Sequence, residues 1–192
     1  MKKTPSSNQV KSKLQIVGEI SVQARKQSNF LLKKWNLMLR SLEALGIITR
    51  HTLERFYAKG ALVREYNVKN IIATAGLNAI CQILAGDYAD TGAITHMALG
   101  DGVGTPAVGD TVLFNEVYRN ATASSTSSSN VAICTAFYTE TEIDGTLTEF
   151  GNFIDGTGTV DTGLLWSHVN VAWTKSNTET YTVACRYTLT NA

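Results

Sequence analysis

The Gly-rich segment Gly100–Pro106 is the pattern in this sequence that most resembles a ligand-binding loop. A phosphate-binding loop needs a glycine turn that opens a helix, because the amide groups of the helix N-terminus hold the phosphate. Here Pro106 and Gly109 follow instead of an apolar helical pattern, and the sequence has no lysine between Lys69 and Lys175. We therefore predict a surface loop whose glycines relieve backbone strain, with no bound nucleotide.

Two groups of carboxylates are the next candidates for chemistry. Asp101 and Asp110 flank the Gly-rich segment, but the ligand spacing of an EF-hand calcium loop is missing, so we interpret them as turn residues. The second group surrounds a predicted hairpin turn and consists of Glu140, Glu142, Asp144 and Glu149. A glycosidase needs two such carboxylates on either side of its substrate. Solvated turn charges are the favoured interpretation and a glycosidase pair is the alternative.

Histidines and cysteines complete the set of residues that bind metals or act as nucleophiles. They form neither an HExxH sequence nor a CxxC pair, and they are His51, His96, His168, Cys81, Cys134 and Cys185. His96 and His168 lie in predicted strands and could approach each other, so a catalytic or metal role is the alternative to ordinary sheet histidines. We interpret the cysteines as small buried hydrophobes. The sequence thus predicts no catalytic residue, no metal, no cofactor and a protein that is not an enzyme.

The charge distribution divides the chain into a basic and an acidic part. Residues 1–70 contain 14 Lys and Arg and 4 Asp and Glu, whereas residues 71–192 contain 3 and 12. The chain has 192 residues, of which 44% are hydrophobic and 17% are charged. This composition is typical of one globular domain, with or without an appendage. The asymmetry of charge indicates a tethering segment joined to a body.

No targeting signal is recognisable in the sequence. Met1–Lys13 is polar and basic, unlike a secretory signal. The longest uncharged stretch, Asn70–Gly86, is too short and too polar to span a membrane. We therefore expect a chain without a membrane span that is made in a reducing compartment.

Residues 1–60 are predicted to form a basic arm followed by helices. The arm covers residues 1–13, and the partly alternating stretch Leu14–Arg25 is a weak strand candidate. A helix is predicted from Ser28 to Leu45, and a short second helix is predicted to end at Gly60. Two helices in a basic segment also allow a DNA-binding helix-turn-helix, but the basic residues are spread over the whole segment. Nucleic acid is therefore not the expected partner.

The first predicted helix carries an apolar stripe with steps of four, three, four and three residues. Such steps give the heptad rhythm of helices that pack on a partner. The members of the stripe are our candidate interface residues Leu31, Trp35, Met38, Leu42 and Leu45. The alternative, which is somewhat favoured for stripes of this kind, is a helix laid on its own domain.

Residues 61–192 are predicted to form a β-rich body. After a strand at Ala61–Val68, one buried helix is expected at about 70–85, closed by Gly86. Period-two patterns then predict further strands at Ile94–Leu99, Val131–Thr141, Thr146–Ile154, Leu164–Trp173 and Thr180–Thr190. We expect the last two to form a hairpin, and Ala121–Asn130 to be a loop or a polar edge strand. The predicted fold class is α+β, with an N-terminal helical anchor followed by a predominantly antiparallel β-sandwich.

An ordered set of short motifs resembles one family of proteins from tailed bacteriophages. The helix Val68–Ile80 is similar to an opening "NLI-x-x-AG", and Ile94–Ala107 is similar to "I-A-L-G-T-G-T-x-x-P". Gly109–Arg119 is like "D-T-x-L-x-x-E-x-x-R", and Thr146–Phe153 is like "I-T-E-x-G-L-F". A final strand pair containing Trp173–Ser176 completes the match, which covers about two-thirds of the chain.

The resemblance implies a non-enzymatic virion structural protein with a β-sandwich body. Members of the family are tail, baseplate, neck, fibre or capsid-surface components that assemble in several copies. The implied partners are therefore further copies of this chain and other virion proteins, and the implied location is the virion, after synthesis in the bacterial host cytoplasm. Residues 1–60 depart from the family pattern, and we expect attachment through this segment. The resemblance carries over no active-site residue.

Two other functions stay open at this stage. The body could be a receptor- or glycan-binding module of a tail fibre, in which Gly100–Asp110 or the Ser-rich loop near Ser125 would touch a host surface receptor. Alternatively, residues 1–60 could bind nucleic acid through their positive charge.

Overall fold

The computed structural model describes residues 14–191, and the basic arm predicted at residues 1–13 lies outside them. The described residues form nine strands and three helices. In chain order they are β1 (Leu14–Lys26), α1 (Phe30–Ala44), α2 (Arg50–Phe56), β2 (Ala61–Ile72), α3 (Thr74–Ala85), β3 (Ile94–Gly100), β4 (Glu116–Ala121), β5 (Ser124–Ser128), β6 (Val131–Tyr138), β7 (Gly145–Ile154), β8 (Leu164–Lys175) and β9 (Glu179–Asn191).

All nine strands belong to one antiparallel sheet with the order β4-β3-β7-β8-β2-β1-β9-β6-β5. Strand β2 links the two halves of this sheet, because it pairs with β1 along most of its length and with β8 at Ile71 and Ile72. The two edge strands, β4 and β5, are consecutive in sequence and are separated by only Thr122 and Ala123. Two residues can connect opposite edges only if the sheet curls, and the sheet forms a half-barrel.

The concave face of the half-barrel holds the main hydrophobic core. Alternate residues of each strand point into it, as the period of two in a strand requires. In β9 these residues are Val183, Cys185 and Tyr187, and all three are buried, which confirms the alternation predicted for this strand. The largest fully buried side chain is Trp173, whose ring lies 5.6 Å from that of Phe150 between centroids.

The predicted fold class, an N-terminal helical anchor followed by a β-sandwich, is wrong. The described chain begins with β1, a strand of 13 residues that pairs with β2 on one side and along its whole length with β9 on the other. Helices α1 and α2 connect β1 to β2, so they belong to the same unit as the sheet. The strands form one curled sheet and not two stacked ones, because the ladder continues from β1 through β2 to β8.

The C-terminal hairpin predicted from Leu164–Trp173 and Thr180–Thr190 is also wrong, although both strands exist. Strand β8 lies between β7 and β2, whereas β9 lies between β1 and β6. The turn after β8 therefore carries the chain past two intervening strands. The missing information was the position of β1, which takes the place beside β9 that the prediction gave to β8.

The predicted helices exist with shifted boundaries. Asn29, and not Ser28, caps α1, because its side-chain oxygen accepts the first free amides of the helix. Helix α2 ends at Phe56, before the predicted stop at Gly60. The segment Ala121–Asn130 contains β5, which is a polar edge strand, one of the two predicted alternatives.

Helix α3 is shorter and more exposed than the buried helix predicted at about 70–85. It starts at Thr74, because the preceding residues continue β2, and it ends as predicted at Gly86, whose φ of 75° is left-handed. Only Gly76 and Ala79 are buried. A Cβ on Gly76 would come within 2.7 Å of the ring of Trp166, so the glycine allows α3 to lie close to β8.

Candidate interaction surface

Helix α1 is attached to the rest of the chain by a polar clamp and a small apolar core. The side chain of Asn36 donates to the carbonyl oxygen of Ala58 and accepts from its amide, both at 2.9 Å. Leu39 is buried with Leu53 and Phe137 in a cluster separate from the main core. Asn36 and Leu39 thus define the inward face of α1, and the opposite face is left to the solvent.

A buried ion pair fixes α2 to the sheet. Arg50 donates to the carbonyl oxygen of Phe137 and lies 2.6 Å from a carboxylate oxygen of Glu142 and 3.3 Å from one of Glu43. Burial alone would raise the pKa of Glu142, but the hydrogen bond and charge of Arg50 hold this pKa below its ordinary value. The helices are therefore held on the sheet as a rigid unit.

The predicted interface stripe lies on the exposed face of α1. Leu31 and Leu45 are 73% and 74% exposed, and Trp35 and Met38 are 43% and 44% exposed. Leu42 is partly buried. The favoured alternative, a helix laid on its own domain, holds for α1, but through Asn36 and Leu39 and not through the stripe. Its role as an interface stays a prediction.

Neighbouring residues extend the stripe into a larger apolar surface. We use the name α1 patch for the stripe together with the exposed residues Phe30, Leu37, Ile47 and Phe56. Exposed Lys33 and Lys34 lie on the same helix and form no salt bridge within residues 14–191. A concentration of exposed apolar side chains, with charge beside it, is typical of protein interfaces.

His168 and Glu149, two residues considered for catalysis, meet in a buried cluster. The ring nitrogens of His168 lie 2.8 Å from Asp110 and 3.0 Å from Glu149, and the Glu149 side chain is completely buried. Glu149 also accepts hydrogen bonds from the amides of Gly102, Phe114 and Asn115 at 3.1, 2.9 and 2.7 Å. The interpretation of Glu149 as a solvated turn charge is therefore wrong. The cluster fastens the loop of residues 101–115 to β7 and β8.

The glycines of this loop allow its backbone to approach Glu149. A Cβ on Gly100 or Gly102 would lie 2.4 Å from a carboxylate oxygen of Glu149. Neither glycine has a positive φ. The predicted reason for these glycines, relief of backbone strain, is therefore wrong, and close approach to an anion is the observed reason. The anion is a side chain of the protein itself.

A second buried pair lies on β4. Glu116 and Arg119 are hydrogen-bonded at 2.5 and 2.6 Å, with side chains at most 1% exposed. Arg119 also donates to the carbonyl oxygens of Thr157 and Thr162. This pair holds the loop between β7 and β8 against β4.

The other residues considered for chemistry lie apart from this cluster. His96 has Thr95 as its side-chain partner, and burial together with the nearby charge of Arg119 lowers the pKa of His96. His51 bonds to the carbonyl group of Ala123. The alternative in which His96 approaches His168 is not observed, because the two histidines have different hydrogen-bond partners. Cys134 and Cys185 are buried as predicted, whereas Cys81 is exposed.

The described residues contain no helix that is both long and apolar enough to cross a membrane. Comparison with protein-family models, with curated proteins and with solved structures finds no match to this chain.

Proposed function

We propose that the chain is a non-enzymatic structural protein of a tailed-bacteriophage virion, where it assembles in multiple copies with other virion proteins. The sequence motifs supply the class of protein, and the α1 patch is the observation that carries the assembly role. Monomeric proteins seldom keep a large apolar surface in water. The α1 patch contains nine exposed or partly exposed apolar residues. The helices that carry it are fixed to the sheet by the apolar cluster around Leu39 and by the ion pair of Arg50 with Glu142.

The polar clusters support the same proposal. The carboxylates Glu149 and Glu116 are fully used in holding loops to the sheet, through backbone amides, His168 and Arg119. Polar groups whose hydrogen bonds are all made in this way rigidify the body, which suits a structural subunit.

The test is the occupancy of the chain in purified particles. The double variant Leu31→Glu and Met38→Glu places two charges on the α1 patch, and we expect it to fold normally but to be at least about 10-fold depleted from particles. Val103→Glu is the matched control, because Val103 is 89% exposed and lies outside the patch. Absence of the natural chain from the particles contradicts the proposal, and normal occupancy of the double variant contradicts the role of the patch.

A further inference from the structure

A second apolar surface lies between α3 and the β5–β6 hairpin. It is a groove of about 380 Å³, and its lining includes Ile80, Ile83, Ile94, Trp166 and Leu189. Leu84, one turn of helix from Ile80, extends this surface and is 81% exposed. We use the name α3 groove for this groove and its rim at Leu84.

The α1 patch and the α3 groove are separate surfaces of the half-barrel. The last residue of β1 before α1, Lys26, pairs with Glu179 at the start of β9. The groove is lined by Tyr187 and Leu189 near the end of β9. Along β9, Tyr187 and Leu189 lie eight and ten residues from Glu179, which corresponds to roughly 27 and 33 Å. Asn36 and Leu39 hold the inward face of α1 against its own chain, which leaves the α1 patch turned outward. Contact between patch and groove therefore requires two molecules.

The charges beside the two surfaces are complementary. Lys33 and Lys34 accompany the α1 patch. Asp87 and Asp90 are exposed in the loop that follows α3, and they form no salt bridge among the described residues. No charged residue lines the groove itself. The α1 patch is thus apolar with basic neighbours, and the α3 groove is apolar with acidic neighbours. This complementarity favours their association.

We propose that the α1 patch of one copy docks into the α3 groove of a second copy. This inference rests on the proposed function, since it names the partner of the α1 patch. Two different surfaces meet in this contact, so a pair of copies still has one free patch and one free groove for further neighbours. Association of this kind continues until a ring closes or a filament grows.

The first experiment measures the mass of the full chain by sedimentation over a range of concentrations. We expect the natural chain to form oligomers, and expect Leu31→Glu in the patch and Leu84→Glu in the groove each to weaken association at least about 10-fold. An equimolar mixture of the two variants should form a 1:1 dimer, because one variant keeps its groove and the other keeps its patch. Val103→Glu again serves as the control that should assemble normally.

A charge-reversal experiment tests the same contact independently. The variant with Lys33→Glu and Lys34→Glu and the variant with Asp87→Lys and Asp90→Lys should each assemble poorly alone. Their mixture should recover oligomers, because each altered surface then meets one of opposite charge. Failure of the mixture to recover them contradicts the proposed pairing.

Other occupants of the α1 patch give different results. If Leu84→Glu assembles like the natural chain while Leu31→Glu does not, α1 contacts another α1 and the proposed contact is wrong. A natural chain that stays monomeric at all concentrations, or that instead binds anionic lipid vesicles, also overturns it. None of these results decides the proposed function, which depends on occupancy in particles.

Discussion

Replacing Glu149 with alanine should destabilise the protein by about 3–5 kcal/mol. The carboxylate accepts three backbone amides, from Gly102, Phe114 and Asn115, and lies 3.0 Å from a ring nitrogen of His168. A buried donor left without a partner costs about 1–3 kcal/mol, and three such donors would cost roughly 3–9 kcal/mol. Water can enter a loosened loop, so we expect the lower part of this range, which matches the cost of breaking a buried charge pair.

Thermal unfolding and hydrogen exchange measure this effect together. For a chain of 192 residues, 1 kcal/mol corresponds to about 2–4 °C in Tm, so Tm should fall by roughly 10 °C. The amides of Gly102, Phe114 and Asn115 should lose protection before the rest of the sheet. Asp144→Ala is the control, because it removes an exposed carboxylate at the start of the same strand and should leave Tm nearly unchanged. Unchanged protection of the three amides in the Glu149 variant would refute the reasoning.

Two further changes test the packing and the charge of the fold. Gly76→Ala should lower the free energy of unfolding by about 1–3 kcal/mol, because the new Cβ would lie 2.7 Å from the ring of Trp166. Helix propensity alone predicts the opposite sign. Denaturant unfolding measures the effect, and Gly109→Ala is the control, because its new Cβ meets no atom within 4 Å. Burial lowers the pKa of Lys175 to about 8 in the folded chain, whereas the pKa of an unfolded lysine is about 10.4. Between these two pH values the unfolded chain therefore binds more protons than the folded chain. The stability of the natural chain relative to Lys175→Met should therefore rise between pH 8 and 10, and a constant difference across this range would show that the lysine is not desolvated.

Local patterns in the sequence were sufficient to predict most strands but not their neighbours. Alternation of buried and exposed residues is a property of each strand, and it located β9 within one residue at either end. Pairing depends on contacts between distant segments. Strand β1 pairs with residues that lie 153 to 177 positions later in the chain, and the central pair Ile20 and Cys185 is separated by 165. No local sequence pattern identifies such a distant partner. The prediction therefore paired β8 and β9, which are consecutive in the chain but not adjacent in the sheet.

The inward face of α1 could not be predicted from hydrophobic periodicity. An apolar stripe normally identifies the buried side of a helix, yet here the buried side contains Asn36 and Leu39. The side chain of Asn36 forms hydrogen bonds with both the carbonyl oxygen and the amide of Ala58. The spacing of apolar residues cannot predict a contact between polar groups. The stripe itself was found correctly, but its exposure emerges only from the structure.

Glu149 was missed as a structural residue although the sequence contained a signal. It lies inside the predicted strand Thr146–Ile154, next to Phe150. A carboxylate in the middle of a strand with apolar neighbours needs buried donors or exposure to solvent. The donors lie in a loop 34 to 47 residues earlier in the chain, and only the fold brings them to Glu149.

The motifs that resemble the virion family gain a physical meaning from these contacts. Asp110, Glu116, Arg119 and Glu149 all belong to the motif segments, and all four hold a loop to the sheet. Gly100 and Gly102 belong to the same segments and make room for the carboxylate of Glu149. The motifs thus describe how loops are fastened to the half-barrel and contain no residue of the α1 patch. Proteins that share them can share a body and still differ in what they attach to, because the attachment helix that we propose lies outside the motifs.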